Sequence, residues 1–252
     1  MPSRWWVPLP GIDPRPVRLQ HVHAAVSGWF DQTEEDHAQL VKPYALSPLS
    51  HSGDRRSGAG FEASALTDQA RECLLRKACS NEIIRLGAQT TRLVGAQLIE
   101  EESWDGLQTW MGGTAWDLEF VTPATFRQGQ RWSPWPAPAT VLRGLSESWN
   151  RWSDTESRTP THQQSDAVWV AELSGSSQRL DIGPARPSGF LGHVRYQCED
   201  QAVASLVDGL FRLAAYAGVG SAKAKGLGVT RVHHAAAPDG ARPAPVRRQR
   251  RG

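Results

Sequence analysis

Apolar positions in the first half of the chain change repeatedly between helical and extended spacing. From Val17 to Phe30 they recur every three or four residues, which predicts a helix with one buried face. A short strand over Trp5 to Leu9 precedes this helix, and a short helix is predicted over His37 to Val41. The extended segment KPYALSPLS then leads through a Gly/Ser/Arg-rich loop to a returning strand at Phe61 to Ala65.

Two more elements complete this half. Thr67 is a suitable N-cap for a helix that we extend to about Leu86, and TTRLVGAQLI is typical of a strand. The predicted order of elements is therefore β-α-β-β-α-β, in which helices and strands are mixed and the strands need not run parallel. A Gly-containing segment at residues 105–113 then separates this half from the next.

The second half repeats the order without visible sequence identity to the first. Its predicted strands are WDLEFVT, AVWVAEL, GFLGHVRYQ and LGVTRV, and its helices are PATVLRGLSESWNRW and QAVASLVDGLFRLAAYAG. The predicted fold class is α+β, with two tandem ferredoxin-like (RRM-like) domains. We expect an N-terminal domain at residues 1–112, a C-terminal domain at 113–235 and a basic, disordered tail at 236–252.

Composition excludes several classes of protein. No 18-residue apolar run occurs and the start lacks the apolar segment of a secretory signal, so we expect a cytoplasmic protein with no membrane partner. The cysteines Cys73, Cys79 and Cys198 form no C-x-x-C pair, which argues against a disulfide framework or a zinc site. We expect them to be buried small apolar residues, and no metal or cofactor is implied.

Charge is concentrated at the C-terminus, although the formal net charge is only +2. Five arginines fall in the final stretch ARPAPVRRQRRG, a composition that cannot bury a core. Two interpretations remain open: an arm that seeks phosphates, or a solvated terminus.

A glycine stretch, AGVGSAKAKGLGV, follows the last predicted helix. It contains Gly218, which is a suitable left-handed cap for that helix, and further glycines and lysines that could contact an anion: Gly220, Lys223, Lys225, Gly226 and Gly228. The pattern matches neither a dinucleotide-binding G-x-G-x-x-G turn nor a P-loop, because it runs from helix to strand and lacks both strings. We interpret it as a mobile loop that follows a polyanionic backbone, with tight helix-to-strand packing as the alternative.

Four motifs occur in a fixed order along most of the chain. They are HAQLVKPYALSPLS, LEFVTPATFR with PWPAPATVLRGLSESWN, GFLGHVRYQ, and GVGSAKAKGLGVTRV. Each motif alone is weak, but the ordered set resembles the CRISPR repeat-processing endoribonucleases, the Cas-six family of the repeat-associated mysterious protein (RAMP) superfamily. The resemblance implies two ferredoxin-like halves, the same architecture that the element order predicts.

The resemblance also implies a function. The expected activity is metal-independent cleavage of CRISPR repeat RNA (pre-crRNA) by attack of a 2′-hydroxyl, giving 2′,3′-cyclic phosphate and 5′-hydroxyl ends. The expected partners are the repeat RNA or mature crRNA and other Cas proteins of an effector complex. The alternative is a non-catalytic RNA-binding subunit of the same superfamily, which would hold guide RNA without cutting it.

Such cleavage needs a base, an acid and a cation that stabilises the phosphorane. The resemblance assigns His37, which precedes Lys-Pro-aromatic, and Lys42 of that motif; it places His23 where relatives often carry tyrosine. His23 borders the apolar face of the first helix, whereas His21 points nearly opposite, so His23 is the better candidate. The alternative for His23 is a hydrogen-bonded histidine at the edge of the core.

Tryptophans and arginines mark a further candidate contact with RNA. Arg127 and Arg131 lie with Trp132 and Trp135 in RQGQRWSPWPAP, where bases could stack and phosphates bind. Packing of a proline-rich loop is the alternative. We expect several other tryptophans to be core residues, among them Trp149, Trp152 and Trp169.

Overall fold

A computed structural model describes residues 1–51, 58–180 and 186–234. The predicted tail at 236–252 lies outside these ranges, as do residues 52–57 of the Gly/Ser/Arg-rich loop. None of the helices in the described ranges combines the length and apolar character that crossing a bilayer requires.

The N-terminal unit contains the following elements in chain order: β1 (Ser3–Leu9), α1 (Leu19–Phe30), α2 (Glu34–Ala38), β2 (Tyr44–Leu46), β3 (Ser50–His51), β4 (Ala59–Ala65), α3 (Asp68–Ala78), β5 (Ile83–Leu86), β6 (Gln89–Arg92) and β7 (Gln97–Glu101). Its main sheet is antiparallel with the order β2-β4-β1-β7, and β3 pairs with β4 beside β2. Two strands that are connected in the chain by a helix are therefore not neighbours in the sheet, because a third strand lies between them. A ferredoxin-like unit requires this arrangement.

A short helix, α4 (Trp104–Gln108), leads into the C-terminal unit. That unit contains β8 (Ala115–Ala124), β9 (Phe126–Gln128), β10 (Arg131–Ser133), α5 (Pro138–Trp152), α6 (His162–Asp166), β11 (Trp169–Arg179), β12 (Ser188–Gln197), α7 (Gln201–Ala217) and β13 (Thr230–His234). Its antiparallel sheet has the order β11-β12-β8-β13, which is the same topology as the first sheet. The predicted α+β fold with two tandem ferredoxin-like units is confirmed. The expected boundary between domains, at residues 112 and 113, falls between α4 and β8.

Each unit has its own hydrophobic core. In the N-terminal unit, Val26, Phe61 and Leu74 are completely buried where α1 and α3 meet the sheet, and Trp149 and Phe211 are completely buried in the C-terminal unit. Ala224, from the glycine stretch of the C-terminal unit, packs into the N-terminal core. The two units are therefore joined at the glycine stretch by apolar packing.

Charged side chains also join the two units. Arg4 on β1 is only 6% exposed, donates to Glu100 Oε2 at 2.7 Å and lies 3.3 Å from the carbonyl oxygen of Ala215 at the end of α7. Arg231 on β13 forms an ion pair with Glu62 on β4. Buried charges are tolerated where they are paired, so these contacts fix how the two sheets meet.

The second helix begins earlier than predicted. It covers Glu34–Ala38 instead of His37 to Val41, because Thr33 is its N-cap. The Thr33 hydroxyl accepts from the backbone N–H of Asp36 at 3.1 Å, and the Asp36 carboxylate accepts from that of Thr33 at 3.0 Å. This reciprocal capping fixes the start of the helix and places His37 in its last turn.

The helix after Thr67 is shorter than predicted. Thr67 caps it as expected, but it ends at Ala78 and not near Leu86. Asn81 then adopts a left-handed conformation at φ 62°, and β5 and β6 form a hairpin around Gly87 at φ 67°. The β-branched pair Ile83 and Ile84, one exposed and one buried, follows strand alternation in this hairpin.

Three smaller expectations were also wrong. TTRLVGAQLI divides between β6 and β7 around Gly95, whose φ of 128° interrupts the strand. Cys79 is exposed at the end of α3, although Cys73 and Cys198 are buried as expected. Trp169 is 38% exposed on the edge strand β11, whereas Trp149 is buried and Trp152 is partly buried.

Candidate functional site

Two histidines, one on each of the first two helices, face each other. The ring centroids of His23 and His37 are 6.4 Å apart, with the ring planes inclined by 28°. The packing of Val22 and Val26 into the core leaves His23 at the edge of the buried face of α1. The capping of α2 by Thr33 brings His37 next to it. The structure therefore brings together the two imidazoles that the sequence singled out.

His23 is held by the other unit. Its Nδ1 lies 3.0 Å from the carbonyl oxygen of Ala224, in a short 3-10 turn over Lys223–Lys225. A carbonyl can only accept, so Nδ1 carries the hydrogen and Nε2 is left as the acceptor. Burial is the main cause that lowers the pKa of His23, and the bond to Ala224 opposes it, while Lys225 and His37 lower it further. His23 thus favours the neutral form.

His37 is more open to solvent. Its side chain is 65% exposed, and its Nδ1 lies 3.1 Å from Asp31 Oδ2. The Asp31 side chain is only 4% exposed, at the end of α1. An ionised carboxylate only accepts, so this contact also assigns the hydrogen to Nδ1 and leaves Nε2 of His37 available.

Lys42 is directed into the protein. Its side chain is 12% exposed, and its ammonium group donates to Asp31 Oδ2 and to the carbonyl oxygen of His37, both at 2.9 Å. The same group also donates to the carbonyl oxygen of Asp36. These three acceptors match the three donors of an ammonium group. Lys42 therefore joins Asp31 to the C-terminal end of the helix that carries His37.

The glycine stretch is closely packed against both units. The φ angles at Gly218, Gly220, Gly226 and Gly228 are 65°, 90°, 90° and 65°. A Cβ at Gly220 would lie 2.7 Å from the Thr125 carbonyl oxygen, and one at Gly226 would lie 2.9 Å from Leu19 Cδ2. The neighbouring Ser221 N–H donates to Thr125 at 2.8 Å. The packing alternative therefore accounts for the conformation of these glycines.

The two lysines of the stretch have different environments. Lys223 donates from Nζ to Ser148 Oγ at 2.9 Å, and burial lowers its pKa to about 8. Lys223 is half-buried and its ammonium group is bonded within the protein, whereas we expected a lysine of a mobile loop that contacts an anion. Lys225 is exposed, and its charge acts on His23. Lys225 is thus the lysine of this stretch that can meet an anion from solvent.

Arg127 and Arg131 lie on a separate hairpin, formed by β9 and β10. Both side chains are exposed, and the Arg127 guanidinium lies 5.9 Å from the ring centroid of Trp132. Trp132 and Trp135 are 36% and 51% exposed. This surface presents cations beside aromatic faces, as the sequence predicted, and such a combination suits a single-stranded nucleic acid.

Sequence reasoning missed two groups of the site. Asp31 begins the acidic run DQTEED, to which the sequence analysis assigned no role, yet its carboxylate is the acceptor shared by His37, Lys42 and Tyr44. The Thr33–Asp36 capping pair was a signal for the true helix start and would have brought Asp31 close to His37. The Ala224 carbonyl had no local signal, because the contact spans 201 positions of the chain. In the described ranges, no group of three or more His, Cys, Asp or Glu side chains could hold a metal ion.

Comparisons with known proteins agree with this fold. The family model "CRISPR-associated endoribonuclease Cas6" matches residues 118–230. A curated relative of that name from Mycobacterium tuberculosis is 22% identical over 224 residues, which cover 84% of this chain and 70% of the relative. A solved Cas6 product complex superposes with a TM-score of 0.78 and 21% identity, covering 92% of this chain and 99% of the other. A solved RAMP protein described as binding different RNA substrates has a TM-score of 0.58 and 12% identity, covering 92% and 100%.

Proposed function

We propose that this chain is a Cas6-family protein that cuts CRISPR repeat RNA with two histidines and without a metal ion. The 2′-hydroxyl next to the scissile phosphate would attack that phosphate, and the 5′-oxygen would leave. The products would carry a 2′,3′-cyclic phosphate and a 5′-hydroxyl. The observation that carries this proposal is the pair of imidazoles, His23 and His37, each with Nδ1 held by an acceptor of the protein.

The environments of the two rings suggest how they divide the work. Because burial lowers the pKa of His23, this ring is neutral near working pH and is suited to take the proton of the 2′-hydroxyl at Nε2. His37 donates its Nδ1 hydrogen to a carboxylate, and its ring is exposed, so Nε2 can reach the leaving oxygen. His37 is accordingly our choice for the acid that protonates the leaving oxygen.

The third requirement is a cation for the charge that develops on the phosphate. The resemblance assigned this role to Lys42, whose ammonium group already has three acceptors in the protein. In our proposal Lys42 neutralises Asp31 and holds the end of α2. Lys225, exposed and next to His23, is then the cation that meets the phosphate.

The proposed partner is repeat RNA. One structural neighbour is a Cas6 product complex and another is a RAMP protein binding different RNA substrates, so the shared fold is one that accommodates RNA. We propose that Lys225 contacts the backbone near the cleaved phosphate. Arg127 and Arg131, with the exposed Trp132, would contact a further part of the RNA.

A non-catalytic RNA-binding subunit is the alternative. RNA binding alone does not need two hydrogen-bonded imidazoles side by side, which favours the enzyme. The test is a single-turnover assay with labelled repeat RNA from the CRISPR locus of the source organism. Cleavage by the parent protein, with loss of cleavage but not of binding in His37→Ala, would support the enzyme. Binding by the parent without cleavage of any such repeat would favour the alternative.

A further inference from the structure

A single carboxylate oxygen accepts hydrogen bonds from His37 and from two polar side chains next to it. Asp31 Oδ2 accepts from Lys42 Nζ at 2.9 Å, from His37 Nδ1 at 3.1 Å and from the Tyr44 hydroxyl at 3.1 Å. The carboxylate is 4% exposed, a burial that would be costly for an unpaired charge. The three donors compensate for that burial, and they keep the carboxylate in one place.

The donors around Asp31 have different chemistry. Lys42 supplies the positive charge that balances the carboxylate. Burial raises the pKa of Tyr44, and the charge of Asp31 raises it further, so the phenol keeps its proton and remains a donor. His37 is the one of these donors whose side chain is mostly exposed, at 65%, and so it can meet a substrate.

We propose that Asp31 is the positioning residue of the active site, which holds His37 as the Nδ1–H tautomer with Nε2 directed to the reaction. This inference rests on the proposed function. Asp31 acts on the reaction only through His37, directly at Nδ1 and indirectly through Lys42, which ties the last carbonyl groups of α2 to the same carboxylate. A helix of five residues has little rigidity of its own, so these contacts determine where the ring lies.

The physical reason is that an imidazole has two nitrogen atoms of similar basicity. Without a partner at Nδ1, the hydrogen distributes between the two nitrogens, and the ring can rotate about its side-chain bonds. Proton transfer needs the correct nitrogen within hydrogen-bond reach of the reacting oxygen. The carboxylate selects both the tautomer and the orientation of the ring.

The first test replaces the carboxylate by an amide of the same shape. Asp31→Asn should reduce the single-turnover cleavage rate at least about tenfold, because an amide can present either its oxygen or its NH2 group to Nδ1 and no longer fixes the tautomer. The dissociation constant of the repeat RNA should stay within about twofold. Asp117→Asn is the matched control: Asp117 is also paired with a cation, Arg195, but lies on β8, and its variant should cleave at the parent rate. A parent-like rate for Asp31→Asn would overturn the proposal.

The second test uses the unaltered protein, so it does not require that any variant folds. Nitrogen-15 NMR of the unaltered protein at alkaline pH reports which ring nitrogen of His37 carries the hydrogen. We expect Nδ1–H, and a predominant Nε2–H form would overturn the role of Asp31. If the unaltered protein cleaves no repeat RNA, the proposed function fails instead, so the two failures are distinguishable.

Discussion

The Nδ1 of His23 lies 3.0 Å from the carbonyl oxygen of Ala224, so a histidine of the N-terminal unit is oriented by the backbone of the C-terminal unit. Ala224 is fixed from both sides, because its side chain packs into the N-terminal core and Lys223 beside it is bonded to Ser148 on α5. The candidate site is therefore complete only when both units are in place.

The first prediction concerns the pH dependence of cleavage. A base must be neutral, so the rate should rise as pH increases through the pKa of His23. Because burial lowers that pKa, the rising limb should lie below the usual histidine value of about 6.5. The falling limb should report loss of the proton from the acid, giving a bell-shaped single-turnover profile. A rising limb clearly above the usual histidine value would contradict the environment that the structure assigns to His23.

The second prediction tests whether His23 is the group that produces the rising limb of the pH profile. His23→Ala should lose about a hundred- to ten-thousand-fold in the single-turnover rate. His23→Tyr should keep measurable activity and flatten the rising limb, since a phenol titrates near pH 10. If the alanine variant cleaves near the parent rate with both limbs preserved, the proton acceptor is another group.

The third prediction distinguishes the two lysines of the glycine stretch. Lys225→Ala should weaken RNA binding and reduce the salt slope by roughly 0.7 for each phosphate of a single strand that the protein no longer neutralises. Lys223→Met removes a half-buried amine that is bonded to Ser148, and it should leave the salt slope unchanged. The measurement is the dissociation constant of repeat RNA across a series of salt concentrations. Equal effects of the two substitutions would show that Lys223 also meets the RNA.

Lys223 should also influence stability through pH. Its pKa is lowered in the folded protein to about 8 from 10.5, so between these values the unfolded chain binds more protons than the folded one. The free energy of unfolding attributable to this group should therefore increase as pH rises from 8 towards 10.5. Denaturant titrations of the parent and of Lys223→Met at several pH values should show this as a difference in the free energy of unfolding, parent minus variant, that increases with pH. Groups other than Lys223 titrate in both proteins and cancel in that difference.

The fourth prediction tests the packing of the glycine stretch. Gly220→Ala places a Cβ 2.7 Å from the Thr125 carbonyl oxygen at a φ of 90°. Gly112→Ala is a matched control, with a φ of 79° and no heavy atom within 4 Å of the added Cβ. The control should lose about 1 to 2 kcal/mol in free energy of unfolding from the left-handed conformation alone. Gly220→Ala should lose clearly more, and an equal loss would mean that the contact with Thr125 is readily relaxed.

Sequence predicted the architecture because apolar spacing is a local property. The one-sided patterns of α1, α5 and α7 and the alternation in β8 each identify an element, and their order identifies the topology. The errors fell at element boundaries, where short-range capping decides. Because Thr33 caps α2, this helix starts three residues earlier than predicted. The segment that contains Asn81 and Gly87 forms a hairpin where the end of a helix was predicted.

The site was only partly predictable for a different reason. His23, His37 and Lys42 are side chains whose chemistry can be recognised from their type and motif. Asp31 and Ala224 contribute hydrogen-bond acceptors, and these acceptors become part of the site only through the contacts that they make in the folded chain. The hydrogen bond of Lys223 likewise depends on Ser148, which is 75 positions away. Such contacts are determined by how the two units meet, which no local pattern records.

The most direct measurement is cleavage of labelled repeat RNA in the presence of EDTA, with chemical analysis of the product ends. His162→Ala is a suitable control beside His37→Ala, because His162 is 89% exposed on α6. We predict that the parent and the control cleave in chelator and leave 2′,3′-cyclic phosphate and 5′-hydroxyl ends. We predict that His37→Ala binds the RNA but cleaves about a hundred- to ten-thousand-fold more slowly. Loss of parent activity in EDTA with recovery on adding magnesium, or products with 5′-phosphate ends, would contradict the two-histidine mechanism.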